Sequence, residues 1–168
     1  MKRTAVFVLI VLTAVILQTA LLSRVRIFGV APDLVLVLII SLALLEGPLV
    51  GAAAGFGGGI LRDFLLETPA GLTSLAYLAV GYVVGTVRPY VQSTSVFLPV
   101  AAVGAASFVG TVLYALLAFL LGAQADPFGR IARVVVLTSV YNTLLTPFVY
   151  PMLRRIASLY PRDRVYRW

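Results

Sequence analysis

Apolar residues in this chain run in long blocks separated by short polar breaks. The first block, Ala5–Leu22, is interrupted only by Thr13, Gln18 and Thr19. Further blocks cover 34–45, 48–66, 72–87, 96–121 and 134–150. Most approach the ~20 residues that an α-helix needs to cross a bilayer. The breaks carry helix punctuation. Pro32-Asp33 opens the second block, with Asp33 favourable at the positive end of a helix dipole. Glu46-Gly47-Pro48 interrupts the chain again, because proline cannot continue the hydrogen-bond ladder. Glu67–Gly71 reads as a turn, Arg88-Pro89 closes the fourth block, and 122–130 (GAQADPFGR) is the longest polar connection in the middle of the chain. Pro147 predicts a kink near the end of the last block. The pattern predicts an all-α membrane bundle: one domain over 1–168, with a basic tail at 152–168.

The 34–45 block is only ~18 Å long as a helix, short of a ~30 Å hydrocarbon core. Two readings therefore fit 34–66: a tight hairpin of two short helices, or one kinked span. They give six spans or five. Charge does not choose between them. Six spans with an internal N-terminus and five with an external one both leave eight of the 13 Lys+Arg inside and five outside. Both put the C-terminus in the cytoplasm. Lys2-Arg3 before an uncleaved first helix favours six, with the N-terminus also cytoplasmic.

Within 47–63 (GPLVGAAAGFGGGILRD), Gly47, Gly51, Gly55 and Gly59 recur every four residues, and the next step lands on Asp63. On a helix they form a stripe of bare backbone ~24 Å long. Each interior glycine costs about 0.5–1 kcal/mol relative to alanine, so the stripe needs a packing reason. Close approach of helices in a membrane supplies one. Tyr77, Gly81 and Gly85 make a second such face and the natural partner of the first; Ala102, Ala106 and Gly110 make a weaker third. The glycines are thus candidates for internal packing and for contact with a partner's helix.

Composition settles the class. Of 168 residues 61% are hydrophobic and 11% charged, against about 25% charged in soluble domains, and the mean hydropathy is +1.07. This is the composition of an integral membrane protein. The net charge of +7 comes from arginines that flank apolar runs, so it reflects topology and anionic headgroups rather than nucleic acid. The tail carries Arg154, Arg155, Arg162, Arg164, Arg167 and Trp168, a pattern that suits a membrane-interface anchor or a docking site. Cysteine and histidine are absent from the sequence, which excludes disulfides, thiolate catalysis and imidazole chemistry. Gly55–Gly59 (GFGGG) lacks the Lys-Ser/Thr of a phosphate loop. No nucleophile–base arrangement, cofactor site or metal constellation is visible, and the chain does not read as an enzyme.

The polar residues inside the blocks are few. Gln18 and Asn142 are candidates for hydrogen bonds between helices. Asp63, beside Arg62, is the acid nearest to lying within a span, and an ionisable group there is a functional candidate by default. Its expected partners are Asn142 or an arginine on another helix. Asp33 and Glu46 read as residues of breaks.

With these residues in view the chain resembles the rod-shape-determining MreD family of bacterial inner-membrane proteins. The resemblance rests on Gln18 late in the first helix and on Pro32-Asp33-Leu34 opening the second. It continues through Gly51 to Phe56, Gly59 to Asp63, Gly71 with Leu75 to Tyr77, and Gly81-Tyr82 with Gly85. Tyr141-Asn142 and Tyr150-Pro151 before basic residues complete it. It implies a small multi-pass subunit of the cell-elongation (elongasome) machinery without enzymatic activity. The implied partners are an MreC-like bitopic protein, the MreB-like filament, and the enzymes that polymerise and cross-link peptidoglycan. It also implies a fold similar to the six-helix substrate-binding subunits of energy-coupling-factor vitamin transporters, an analogy that does not carry function.

Two functions from different classes follow. The first is a non-catalytic membrane scaffold or regulator of the rod-shape complex that binds the MreC-like partner. The second is a small-molecule (vitamin) binding subunit of a transporter, which needs a polar cavity. An ion pathway needs a chain of intramembrane acids that the sequence does not supply.

Overall fold

The structure, a computed structural model, describes residues 2–22, 28–66, 71–91, 97–122 and 127–159. Among these residues there are six α-helices and no β-strand. They are α1 (Lys2–Leu17), α2 (Leu34–Glu46), α3 (Pro48–Leu65), α4 (Leu72–Val91), α5 (Phe97–Leu120) and α6 (Phe128–Leu159). A π-helical turn, Gln18–Leu22, continues α1.

The short apolar block becomes the centre of the molecule. α2 is apolar on every side, and a helix of that kind belongs inside. Every residue from Val35 to Leu44 is buried, and α2 packs against all five other helices. The surrounding helices turn large apolar side chains outward, among them Phe56, Phe64, Phe108, Phe119 and Phe148. Outward-facing apolar surface on this scale fits lipid rather than water. By length and composition α5 and α6 can each cross a membrane.

Of the two readings of 34–66, the structure takes the hairpin. The chain reverses at Gly47, whose backbone (φ 98, ψ −176) lies in a region essentially reserved for glycine, and Pro48 starts α3 where its missing N–H costs nothing. α2 and α3 then run antiparallel, with Ala43 beside Gly51, Val35 and Ile39 beside Gly58, and Asp33 beside Arg62. Gly47 therefore does not sit on the helical stripe; it makes the turn that lets the stripe form.

Two breaks do less than the sequence suggests. Arg88-Pro89 does not end α4, which continues to Val91. A proline this close to the end of a helix removes a single donor and leaves few following turns to disturb. α6 starts before residue 134 and runs through Pro147 and Pro151 to Leu159, so Arg154 and Arg155 are exposed residues of its last turns rather than of a tail. Arg162, Arg164, Arg167 and Trp168 lie outside the described residues.

Candidate functional site

α3 and α4 meet along the small-residue faces. Antiparallel pairing sets Pro48 against Gly85, Gly51 against Gly81, Gly55 against Tyr77, and Gly59 against Ser74. A Cβ on Gly55 would overlap the Tyr77 carbonyl, and one on Gly59 would lie 2.6 Å from the Ser74 nitrogen. The hydroxyl of Ser74 donates across the seam to the Phe56 carbonyl at 2.9 Å. Asp63 closes the seam. Its carboxylate is buried and accepts from the backbone N–H groups of Gly71 (2.9 Å), Thr73 (3.2 Å) and Ser74 (3.4 Å) at the start of α4. It caps donors that a helix N-terminus leaves unsatisfied, and its charge suits the helix dipole. Asn142, offered as a partner for Asp63, bonds elsewhere. With α4 filling it, the α3 stripe is not open to another protein.

The third small-residue face does a related job. Gly110 admits Val80 and Leu36, and Gly104 faces Thr143. Ala102 and Ala106 pack partly buried against the core.

Asp33 is the hub that the sequence does not single out. It caps α2, accepting from Leu36 N–H at 3.1 Å. The hydroxyl of Tyr77 (α4) and the guanidinium of Arg62 (α3) both donate to its Oδ2, and the Arg62 guanidinium lies 5.5 Å from the Tyr77 ring centroid. The amide of Gln18 donates to its Oδ1 at 3.3 Å and accepts from Val35 N–H at 2.8 Å. On the other side, Asp33 N–H donates to Asn142 Oδ1 (α6) at 2.9 Å, and Asn142 Nδ2 donates to Ser107 Oγ (α5) at 3.0 Å. One network thus joins α2 to α3, α4, α5 and α6 and to the turn after α1. Asp33 and Asn142 are buried; Arg62 is partly so.

A cavity borders this hub. α2 is ~20 Å long, whereas α5 and α6 are ~36 and ~48 Å. Asn142 lies roughly 20 Å along α6 from Phe128, so α2 begins well inside the bundle. Beside the start of α2, bordered by residues 29–33, lies a cavity of about 340 Å³. Arg62, Tyr77, Thr111, Tyr114 and Thr138 supply its polar wall, with Val35, Leu36 and Val134 on the apolar side. Among the described residues, Arg62 and Asp33 are the charged groups in that lining.

The family model for the rod shape-determining protein MreD matches residues 1–156. The chain belongs to the MreD family. Membership carries a role in rod-shape determination and association with a membrane. Neither the curated proteins nor the solved structures compared with the chain gave a match. In this MreD-family protein Gln18, Asn142 and Asp63 are all buried or half-buried polar residues, but they serve two separate constellations. Asp33 was missed because its position after Pro32, just before the second block, reads as a helix start at a membrane boundary. A signal was present: a helix too short to cross a membrane leaves at least one end inside it, and Asp33 stands at one end of α2.

Proposed function

We propose that this protein is a multi-pass scaffold of the bacterial inner membrane that serves the rod-shape machinery without catalysing a reaction, and that the cavity above α2 receives a segment of an MreC-like bitopic partner. The observation that carries this reading is the pairing of a filled glycine seam with an open polar cavity. The seam is used up inside the subunit, whereas the cavity offers Arg62, Tyr114 and Thr138 to an occupant. In this reading the six helices cross the membrane six times, in an arrangement like that of energy-coupling-factor substrate-binding subunits. Both termini face the cytoplasm, and the basic end meets lipid headgroups or cytoplasmic components. The cavity then opens on the outer side, within reach of the partner's extracytoplasmic part. The MreB-like filament and the peptidoglycan polymerase and transpeptidase are engaged directly or through the partner.

The test is co-purification of the MreC-like partner encoded in the same genome with variants that narrow the cavity. Thr111→Phe should insert and fold but lose the partner and the rod shape; a retained complex and normal rods would remove the cavity from partner binding. A reporter fused after Trp168 checks the topology, and an external signal would overturn it.

One observation favours the vitamin-binding alternative: the cavity lies within the ~300–1,000 Å³ range of small-molecule sites. Native mass spectrometry of the purified protein decides. A stoichiometric metabolite would promote that reading.

A further inference from the structure

At the end of the bundle away from the cavity, arginines from two helices flank the close of α2. α2 stops at Glu46, and the chain turns at Gly47 into α3. Arg88 lies one turn beyond Val84 and Gly85, on the face of α4 that those residues bury. That face brings its guanidinium over the turn, where Nη1 lies 3.6 Å from the place a Cβ on Gly47 would take. On α6 the inward face ends with Tyr150 and Leu153, both buried, and Arg154 follows at its edge, exposed. α2 packs against both α4 and α6, so the two arginines stand on either side of its end. The charges of Arg88 and Arg154 both act on the Tyr150 hydroxyl, which lies within electrostatic reach of each.

Depth decides what these arginines meet. Arg154 stands ~39 Å along α6 from Phe128, past a ~30 Å hydrocarbon core and in the headgroup layer. Toward the bilayer centre the same two helices turn Val83 and Val87 (α4) and Phe148 (α6) outward. Glu46 is buried and already engaged, whereas Arg154 is exposed and Arg88 half-buried, so the outward side of the arginine pair is what the bilayer meets. The anion that a bilayer supplies at this depth is the phosphodiester of a lipid headgroup. The planar fork of a guanidinium matches two phosphate oxygens at once, which an ammonium does not. Two forks on different helices with apolar surface beneath them reproduce the layout of one phospholipid, phosphate above and acyl chains below.

We propose that Arg88 and Arg154 form a headgroup site for one anionic phospholipid, with the phosphate held between the two guanidinium groups and the acyl chains lying along α4 and α6. The leaflet follows from the topology proposed above, with both termini cytoplasmic; the site itself does not depend on it.

The full chain in nanodiscs of mixed phosphatidylglycerol and phosphatidylethanolamine, released into native mass spectrometry, tests it. The protein should retain one phosphatidylglycerol in preference to phosphatidylethanolamine. Arg88→Lys/Arg154→Lys keeps both positive charges, and with them the topology signal, but loses the forks; retention should fall about 3–10-fold. Arg88→Gln/Arg154→Gln should abolish the preference. Unchanged retention in the lysine variant would mean that positive charge alone attracts the headgroup, and equal retention of both lipids by the unaltered protein would mean that no headgroup is read; each result overturns the inference. Should the double variants fail to fold, Arg154→Lys and Arg154→Gln, at an exposed position, carry the same comparison. The topology is read separately, because a nanodisc offers the same lipids on both faces. An external signal from a reporter after Trp168 would overturn the cytoplasmic placement and leave the lipid preference standing.

Discussion

The α3–α4 seam and the Asp33 hub hold the same bundle by opposite means. The seam is a contact of backbones: glycine removes every atom that would keep α3 and α4 apart, and dispersion and lipid exclusion do the rest. It tolerates no added volume. The hub is a contact of a few polar side chains drawn from every part of the chain, and it tolerates no loss of a partner, since a buried charge left unpaired is costly. A seam fails by insertion; a hub fails by deletion. The seam is also closed, whereas the hub borders a cavity. That difference makes the hub the better candidate for function.

Mutations can break this contrast in order of size. Gly55→Leu drives a side chain into the Tyr77 backbone, which cannot yield as a flexible side chain does. The expected cost is about 3 kcal/mol or more, seen as loss of the monodisperse folded protein in detergent; a normal melting temperature would disprove the seam as a rigid contact. Asp33→Ala should cost about 3 kcal/mol by leaving Arg62 without its counter-ion, with Asp33→Asn intermediate. The double variant Asp33→Leu/Arg62→Met should recover part of the loss, and failure to recover any would show that the ion pair is not the term that matters. Asp63→Ala should cost about 1–2 kcal/mol through lost capping of α4, with Asp63→Asn milder because its side-chain oxygen still accepts. Equal losses for Ala and Asn would shift the explanation from hydrogen bonding to charge. Gly57→Ala is the smallest and has the opposite sign. A Cβ there meets nothing within 4 Å, so the protein should gain about 0.5–1 kcal/mol in thermal unfolding. Destabilisation at Gly57 would mean that this face, too, is packed.

The seam was largely legible because it is periodic. Gly51, Gly55 and Gly59 share one helical face with the spacing that close packing demands, and Gly81 and Gly85 match it on the next helix. Gly47 was read one element too far because a regular spacing extends on paper through a residue whose backbone turns. Asp63 stood out as an acid in an apolar stretch, but the backbone N–H groups of Gly71, Thr73 and Ser74 that bond to it carry no sequence signal. The hub was legible only in fragments. Gln18 and Asn142 drew attention as polar residues in apolar blocks, whereas Asp33 looked like an ordinary helix start and Arg62 like a boundary charge.

By itself the sequence determined the class of the protein, its helical blocks, the glycine faces and the resemblance to the MreD family. Those depend on composition and on spacing along one helix, where geometry is local and fixed. Only the tertiary structure decided that 34–66 is a hairpin, that its short helix is the core, and that residues 18, 33, 62, 77, 107 and 142 meet. These contacts join positions far apart in the chain. Which of them form depends on how deep α2 begins, and that depth is set by the packing of its neighbours rather than by any motif of its own.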